Sequence, residues 1–168
     1  MYSKIKILGH PVHPMLIAYP VAFYTATFVG FCIYGGTGDL FWLKATIAVN
    51  LAGIVMAAVA ALPGFVDWLL GIPSDTGAKK DGLIHGLFNV TALGLFIASF
   101  AAYASHWNGP AAGAAAGIIL SALGVACTLA AGWYGWMLVQ TWHVGVNLEG
   151  TQVQADPTLQ EFRAKKAG

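Results

Sequence analysis

Five histidines are the residues best equipped for chemistry in this chain of 168. His10 and His13 precede the first long apolar run, His85 opens the third and His143 closes the fourth. Asp67 closes the second run at the same level, so each run delivers an ionisable side chain to one edge. Such groups are expensive at a bilayer edge unless paired or hydrated, and they mark a functional site by default. Imidazole suits haem iron, zinc, copper and non-haem iron. A shared site is therefore expected from His10, His13, His85 and His143 with Asp67. Asn89 lies four residues after His85, on the same helix face one turn deeper, where it supports that histidine. The plain alternative is a set of wet interfacial imidazoles bonded to helix ends. His106, beside Trp107 at the opposite edge, is read that way.

Haem needs two axial ligands from helices that face each other across a core. In an up-down-up-down bundle the first and third helices are diagonal neighbours. His13 and His85 are thus the expected pair, with His10 and His143 as alternates or supports. Gly64, Gly86 and Gly135 offer space near a ring, and Phe65, Phe88, Trp136 and Trp142 offer apolar walls. A bare ion held by four imidazoles, or by three and Asp67, needs the same convergence at shorter range. His10-x-x-His13 has a bidentate spacing, although Pro11 and Pro14 stiffen it. There is no nucleotide-binding glycine loop, no CxxC, no HExxH and no nucleophile–base spacing. Catalytic activity of its own is not expected, and nothing points to nucleic acid.

The elements that must position these residues are four membrane spans. Hydrophobic residues make up 58% of the chain and charged ones 9%, where soluble domains carry about 25%. Met15–Tyr34, Ala45–Val66, Leu83–Ser105 and Gly113–Trp142 contain no Asp, Glu, Lys or Arg. About 20 residues suffice to cross a hydrocarbon core of about 30 Å. The fold class is all-α, a four-helix transmembrane bundle with spans near 14–35, 43–70, 83–105 and 112–142. Met15–Tyr34 is too long for a signal-peptide core and lacks a cleavage site after it, so it is expected to stay as a span. Pro20 should bend the first helix, and Pro63-Gly64 should kink the second one turn before Asp67. Pro73–Gly82 is read as a polar loop, and 147–168 as a polar tail.

Small residues crowd the fourth run, from Gly113 and Gly117 to Gly132 and Gly135, and small residues at four-residue spacing let helices approach closely in lipid. A weak repeat is also visible. His13 and His85 open alternate helices, which carry Phe31 with Tyr34 and Phe100 with Tyr103 late. Two helical hairpins in parallel orientation would explain it. Cys32 and Cys127 lie at different depths and are expected to be buried and unbridged.

Gly9-His-Pro-Val-His-Pro-Met-Leu16, Pro20, Ala61-Leu-Pro-Gly-Phe-Val-Asp-Trp68, His85-Gly-Leu-Phe-Asn89 and His143-Val-Gly-Val146 together carry a resemblance. Over roughly residues 9–147 the chain resembles a family of bacterial four-helix membrane proteins classed as a domain of unknown function. That family is distantly similar to the two-haem membrane cytochromes b, and its members sometimes accompany Rieske-type iron–sulfur domains. The resemblance implies a multi-pass protein of the bacterial inner membrane with a redox role. It implies haem b as cofactor, a transition metal or no cofactor being the alternatives. Partners would be the lipid bilayer, other membrane subunits or further copies, and an iron–sulfur electron-transfer protein. A non-enzymatic accessory subunit is the competing role.

Lys4, Lys6, Lys79, Lys80, Arg163, Lys165 and Lys166 flank the spans on one side and Lys44 alone on the other. Seven against one puts both termini and the Lys79–Lys80 segment in the cytoplasm by the positive-inside rule. A reporter active only in the cytoplasm should therefore be active when fused after Gly168 and silent when inserted at Gly38. The reverse pattern would overturn the orientation.

Overall fold

A computed structural model describes residues 3–146. The expected tail 147–168, with Arg163, Lys165 and Lys166, lies outside the described residues. The chain enters through a hairpin of β1 (Lys6–Ile7) and β2 (His10–Pro11), paired antiparallel with Ile7 opposite His10. The helices that follow are α1 (Val12–Leu16), α2 (Ala18–Thr37), α3 (Leu40–Val66), α4 (Gly77–Tyr103) and α5 (Ala115–Gln140). A π-helical turn, Asp67–Gly71, extends α3, and a 3₁₀ turn, Ala104–Trp107, extends α4. Four segments are long and apolar enough to cross a membrane: Val12–Thr37, Leu40–Gly71, Gly77–Trp107 and Ala115–Gln140. At 26 to 32 residues they are about 39 to 48 Å long, more than a hydrocarbon core requires. Their outer faces expose Leu62, Val90, Leu129 and Trp133, as lipid contact demands.

Local chemistry sets the ends. Pro20 has no N–H to offer Leu16, and the helix breaks at Ile17 into α1 and α2. Gly38, at φ +68°, closes α2 with its N–H on the Tyr34 carbonyl, 2.8 Å away. Asp39 then caps α3 by accepting from the Phe41 N–H at 2.9 Å. Thr76 caps α4 in the same way, accepting from the Lys79 N–H at 3.3 Å. That cap starts α4 eight residues before His85, so part of the expected Pro73–Gly82 loop is helix. Lys79 finishes this end: its Nζ donates to the carbonyls of Trp68, Leu69 and Ile72 and lies 4.3 Å over the Trp68 ring.

In cross-section α2 packs on α3 and α5, while α4 packs on α5 and α3, leaving α2 and α4 as diagonal neighbours. Three ring pairs cross that diagonal. His13 meets His85, Tyr24 stacks on Phe96 at 3.7 Å, and Phe31 meets Tyr103 at 4.7 Å. Each pair is separated by 72 residues in the chain. Residues that touch their own counterparts must lie on the axis relating the two halves. The molecule is thus two helical hairpins related by a pseudo-two-fold axis along the bundle, as expected for parallel repeats. The repeat pairs Phe31 with Tyr103, not with Phe100, because contact across the axis selects an offset that the helix ends do not reveal.

Glycine permits this closeness. A methyl group at Gly124 would lie 2.5 Å from the Phe96 ring, and one at its counterpart Gly53 would lie 3.0 Å from the Tyr24 ring. Both cysteines are free, and Cys32 is exposed on the outer face of α2 where burial was expected. Gly124→Ala should lower the thermal midpoint in detergent by several degrees, since overpacking a fixed core costs about 1–3 kcal/mol. Gly94→Ala meets no atom within 4 Å and should leave the midpoint unchanged or raise it. Equal midpoints for Gly124→Ala and the unmodified protein would show that Phe96 is not held in place.

Candidate histidine site

Two of the five collar residues meet. The rings of His13 on α1 and His85 on α4 have centroids 6.1 Å apart and perpendicular planes, on the pseudo-two-fold axis. Each is pinned by a backbone carbonyl of the neighbouring helix in its own hairpin. His13 Nδ1 bonds the Ala60 carbonyl of α3 at 2.8 Å, and His85 Nδ1 bonds the Ala131 carbonyl of α5 at 2.8 Å. A carbonyl only accepts, so Nδ1 carries the proton in both rings. The neutral ring then keeps its lone pair on Nε2, the atom a metal would use.

The rings reach those carbonyls because glycine lies one turn further on. A methyl group at Gly64 would lie 2.7 Å from His13 Nδ1, and one at Gly135 would lie 3.2 Å from His85 Cε1. Ala60-x-x-x-Gly64 and Ala131-x-x-x-Gly135 are the same device, 71 residues apart. Pro63 lies inside α3 beside its copy. Sequence reading singled out Gly64 and Gly135 as space for a ring; here that space holds the imidazoles themselves. The two alanines carried no signal, because their contribution is main-chain oxygen. Asn89 lies where expected and donates from Nδ2 to the His85 carbonyl at 2.9 Å and to His85 Nε2 at 3.2 Å.

Asp67 and His10 make contacts of their own. Asp67 accepts from Ser3 Oγ at 2.7 Å and from the N–H groups of Lys4 at 2.6 Å and Ile5 at 3.2 Å. Its carboxylate anchors the N-terminal segment, and Ser3 was not singled out by its sequence context. His10 is exposed in the hairpin, with Nδ1 against the Leu8 carbonyl at 3.0 Å. Leu8 and Gly9 form that turn with φ +50° and +83°, the left-handed pair of a tight hairpin. His143 follows α5 in a left-handed conformation at φ +52°. His106, at the far end, bonds the Pro110 carbonyl at 2.7 Å and packs beside Tyr103. Trp142 ties the end of α5 to the start of α4, donating to Asp81 at 2.7 Å. Among the described residues, no three His, Cys, Asp or Glu side chains form a group that could hold a metal ion.

The fold and the site together define a four-helix membrane protein with a two-histidine site near one end of its axis. The chain belongs to the family described as "Predicted membrane protein (DUF2231)", whose model matches residues 9–148. That span begins at the His-Pro-x-x-His-Pro opening and includes both members of the histidine pair. No curated protein and no solved structure matches the chain.

Asp67→Ala should free residues 3–5 while leaving the helices in place. The amide protons of Lys4 and Ile5 should exchange faster, each having lost a charge-assisted bond of about 1.5–3 kcal/mol. Unchanged exchange at both amides would mean that the carboxylate does not anchor the segment.

Proposed function

We propose that this protein is a membrane-embedded electron-transfer subunit that holds haem b between His13 and His85. The observation that carries this reading is the pinned pair: two imidazoles on the bundle axis, each with Nδ1 satisfied by a carbonyl. Two imidazoles on opposite sides of one metal ion, with metal–nitrogen bonds of about 2 Å, would bring their ring centres to about 6 Å. The separation of 6.1 Å fits that requirement. Ligand count favours haem over a bare ion. A structural zinc site uses four protein ligands, whereas a haem macrocycle asks the protein for two axial ones.

When bound, the haem would supply one-electron redox chemistry. The chain's own part is to hold both rings in one tautomer, through the Ala60 and Ala131 carbonyls, and to present Nε2. Asn89 supports His85 through its carbonyl. Its 3.2 Å contact to Nε2 is the longer of its two bonds and the one that ligation would displace. The protein would work in a bacterial inner membrane, with the histidine end cytoplasmic on the basic-residue bias. It would pass electrons to another membrane subunit or to an iron–sulfur protein. An accessory subunit without cofactor is the second reading. It is favoured by the same axial contacts, since Tyr24–Phe96 and Phe31–Tyr103 hold the hairpins together without any ligand.

Protein purified from haem-replete cells should show the reduced-minus-oxidised bands of a b-type cytochrome. His13→Ala and His85→Ala should each weaken haem binding by more than about 10-fold and so deplete bound haem, since losing even an outer support costs about that much affinity. His106→Ala should retain it. A colourless, metal-free preparation would sink the cofactor reading and leave the accessory role, while metal without haem would move the site to a bare ion.

A further inference from the structure

The hairpin before the first span ends in an apolar tip that the rest of the chain leaves bare. Leu8 is 94% exposed and Ile7 60%, and no other large apolar side chain among the described residues is as exposed as Leu8. Both stand at the turn between β1 and β2, whose two-residue loop is Leu8-Gly9. Leu8 holds φ +50°, a left-handed conformation that is costly for leucine and suits asparagine or glycine. Turn chemistry therefore does not call for a leucine here, and its exposure leaves it little to pack on within the chain.

The hairpin is nonetheless fixed in place. Asp67 accepts from the N–H groups of Lys4 and Ile5, and the Val12 N–H donates to the Ile5 carbonyl at 3.1 Å. His10 Nδ1 donates to the Leu8 carbonyl at 3.0 Å and braces the turn itself. A fixed loop that displays apolar side chains marks a contact surface.

The nearest apolar medium is the bilayer. Pro11 is both the last residue of β2 and the N-cap of α1, so no linker separates the hairpin from the first span. The lipid-facing surface of that span begins at Met15, 57% exposed, and continues through Ile17 and Tyr19. A two-residue strand rises about 7 Å, about the thickness of one headgroup layer. Charge agrees with that depth. Before Asp39 the only Asp, Glu, Lys or Arg residues are Lys4 and Lys6, both exposed on the segment that leads to the tip. Basic side chains beside apolar ones suit a surface of anionic headgroups.

We infer that the hairpin is an interfacial anchor, with Ile7 and Leu8 inserted among the headgroups and Lys4 and Lys6 on anionic phosphates. His10 serves the anchor by holding its turn. The inference is independent of what His13 and His85 hold.

Lipid-edited solid-state NMR of the full chain in bilayers containing phosphatidylglycerol reads this directly. Magnetisation from acyl-chain protons should reach the Leu8 methyls several-fold faster than Cβ of Asp75, exposed in the loop before α4. The methyls of lipid-facing Leu62 give the fast reference. Transfer to Leu8 as slow as to Asp75 would overturn the anchor and leave the tip as a surface for another protein. Leu8→Asn suits the turn and so keeps the hairpin, but it removes the apolar tip. Transfer to the Ile7 methyls should then fall several-fold, and an unchanged rate would overturn the role of Leu8. Replacing phosphatidylglycerol by phosphatidylcholine should slow transfer at Leu8 and not at Leu62. Equal rates at Leu8 in the two lipids would overturn the anionic contact.

Discussion

A bilayer interior offers no hydrogen bonds, so a polar group carried into it is costly unless the chain supplies its partner. This constraint organises the molecule. Each histidine of the pair gives its Nδ1 proton to a carbonyl on the neighbouring helix. A helical carbonyl has a second lone pair, so the imidazole takes nothing from the helix it touches. Tyr34 and Tyr103 obey the same rule at the other end, giving their hydroxyls to the carbonyls of Ala112 and Gly113. The alternative to such pairing is loss of the span, and this is why small residues flank the acceptors.

Two-fold repetition follows from those local solutions. Ala60 with Gly64 receives one imidazole, and Ala131 with Gly135 receives the other. Because both hairpins use the same device at the same depth, their histidines point to a common line. The repetition is imperfect where the halves have different tasks. Asp67 follows the first copy and holds the N-terminal segment, while the chain after α5 reaches Trp142, which donates to Asp81 of α4. Asn50 faces the polar middle where its counterpart is Ser121, a smaller group that bonds its own helix.

The spans were legible because charge-free runs of 20 or more residues have almost no other use in a chain this poor in charge. The pairing of His13 with His85 was legible as geometry, from two helix starts on a diagonal. Less legible was everything that depends on main-chain atoms or on the axis. Ala60 and Ala131 look like any alanine. The offset that joins Phe31 to Tyr103 is hidden by the nearer Phe100, and the start of α4 at Gly77 was masked by the polar Lys79, Lys80 and Asp81. Helix caps override such polarity: Thr76 provides the first turn with an acceptor, and Lys79 serves the carbonyls of the preceding turn. Asp67 was drawn to the collar by its level in the membrane. Its partners lie in a segment whose path only the fold reveals.

The placement of all three ring pairs on the axis has a consequence for biosynthesis. Each hairpin carries one half of every pair, so neither hairpin can build any of them alone. As the chain leaves the ribosome, α1 to α3 can settle in the bilayer with His13 already on Ala60 and its other edge facing an absent neighbour. Completion waits for α4, and α4 in turn waits for α5 to offer the Ala131 carbonyl. The pair therefore cannot be complete before α5 is in place, and a nascent protein interrupted after the second span carries an imidazole with nothing opposite it.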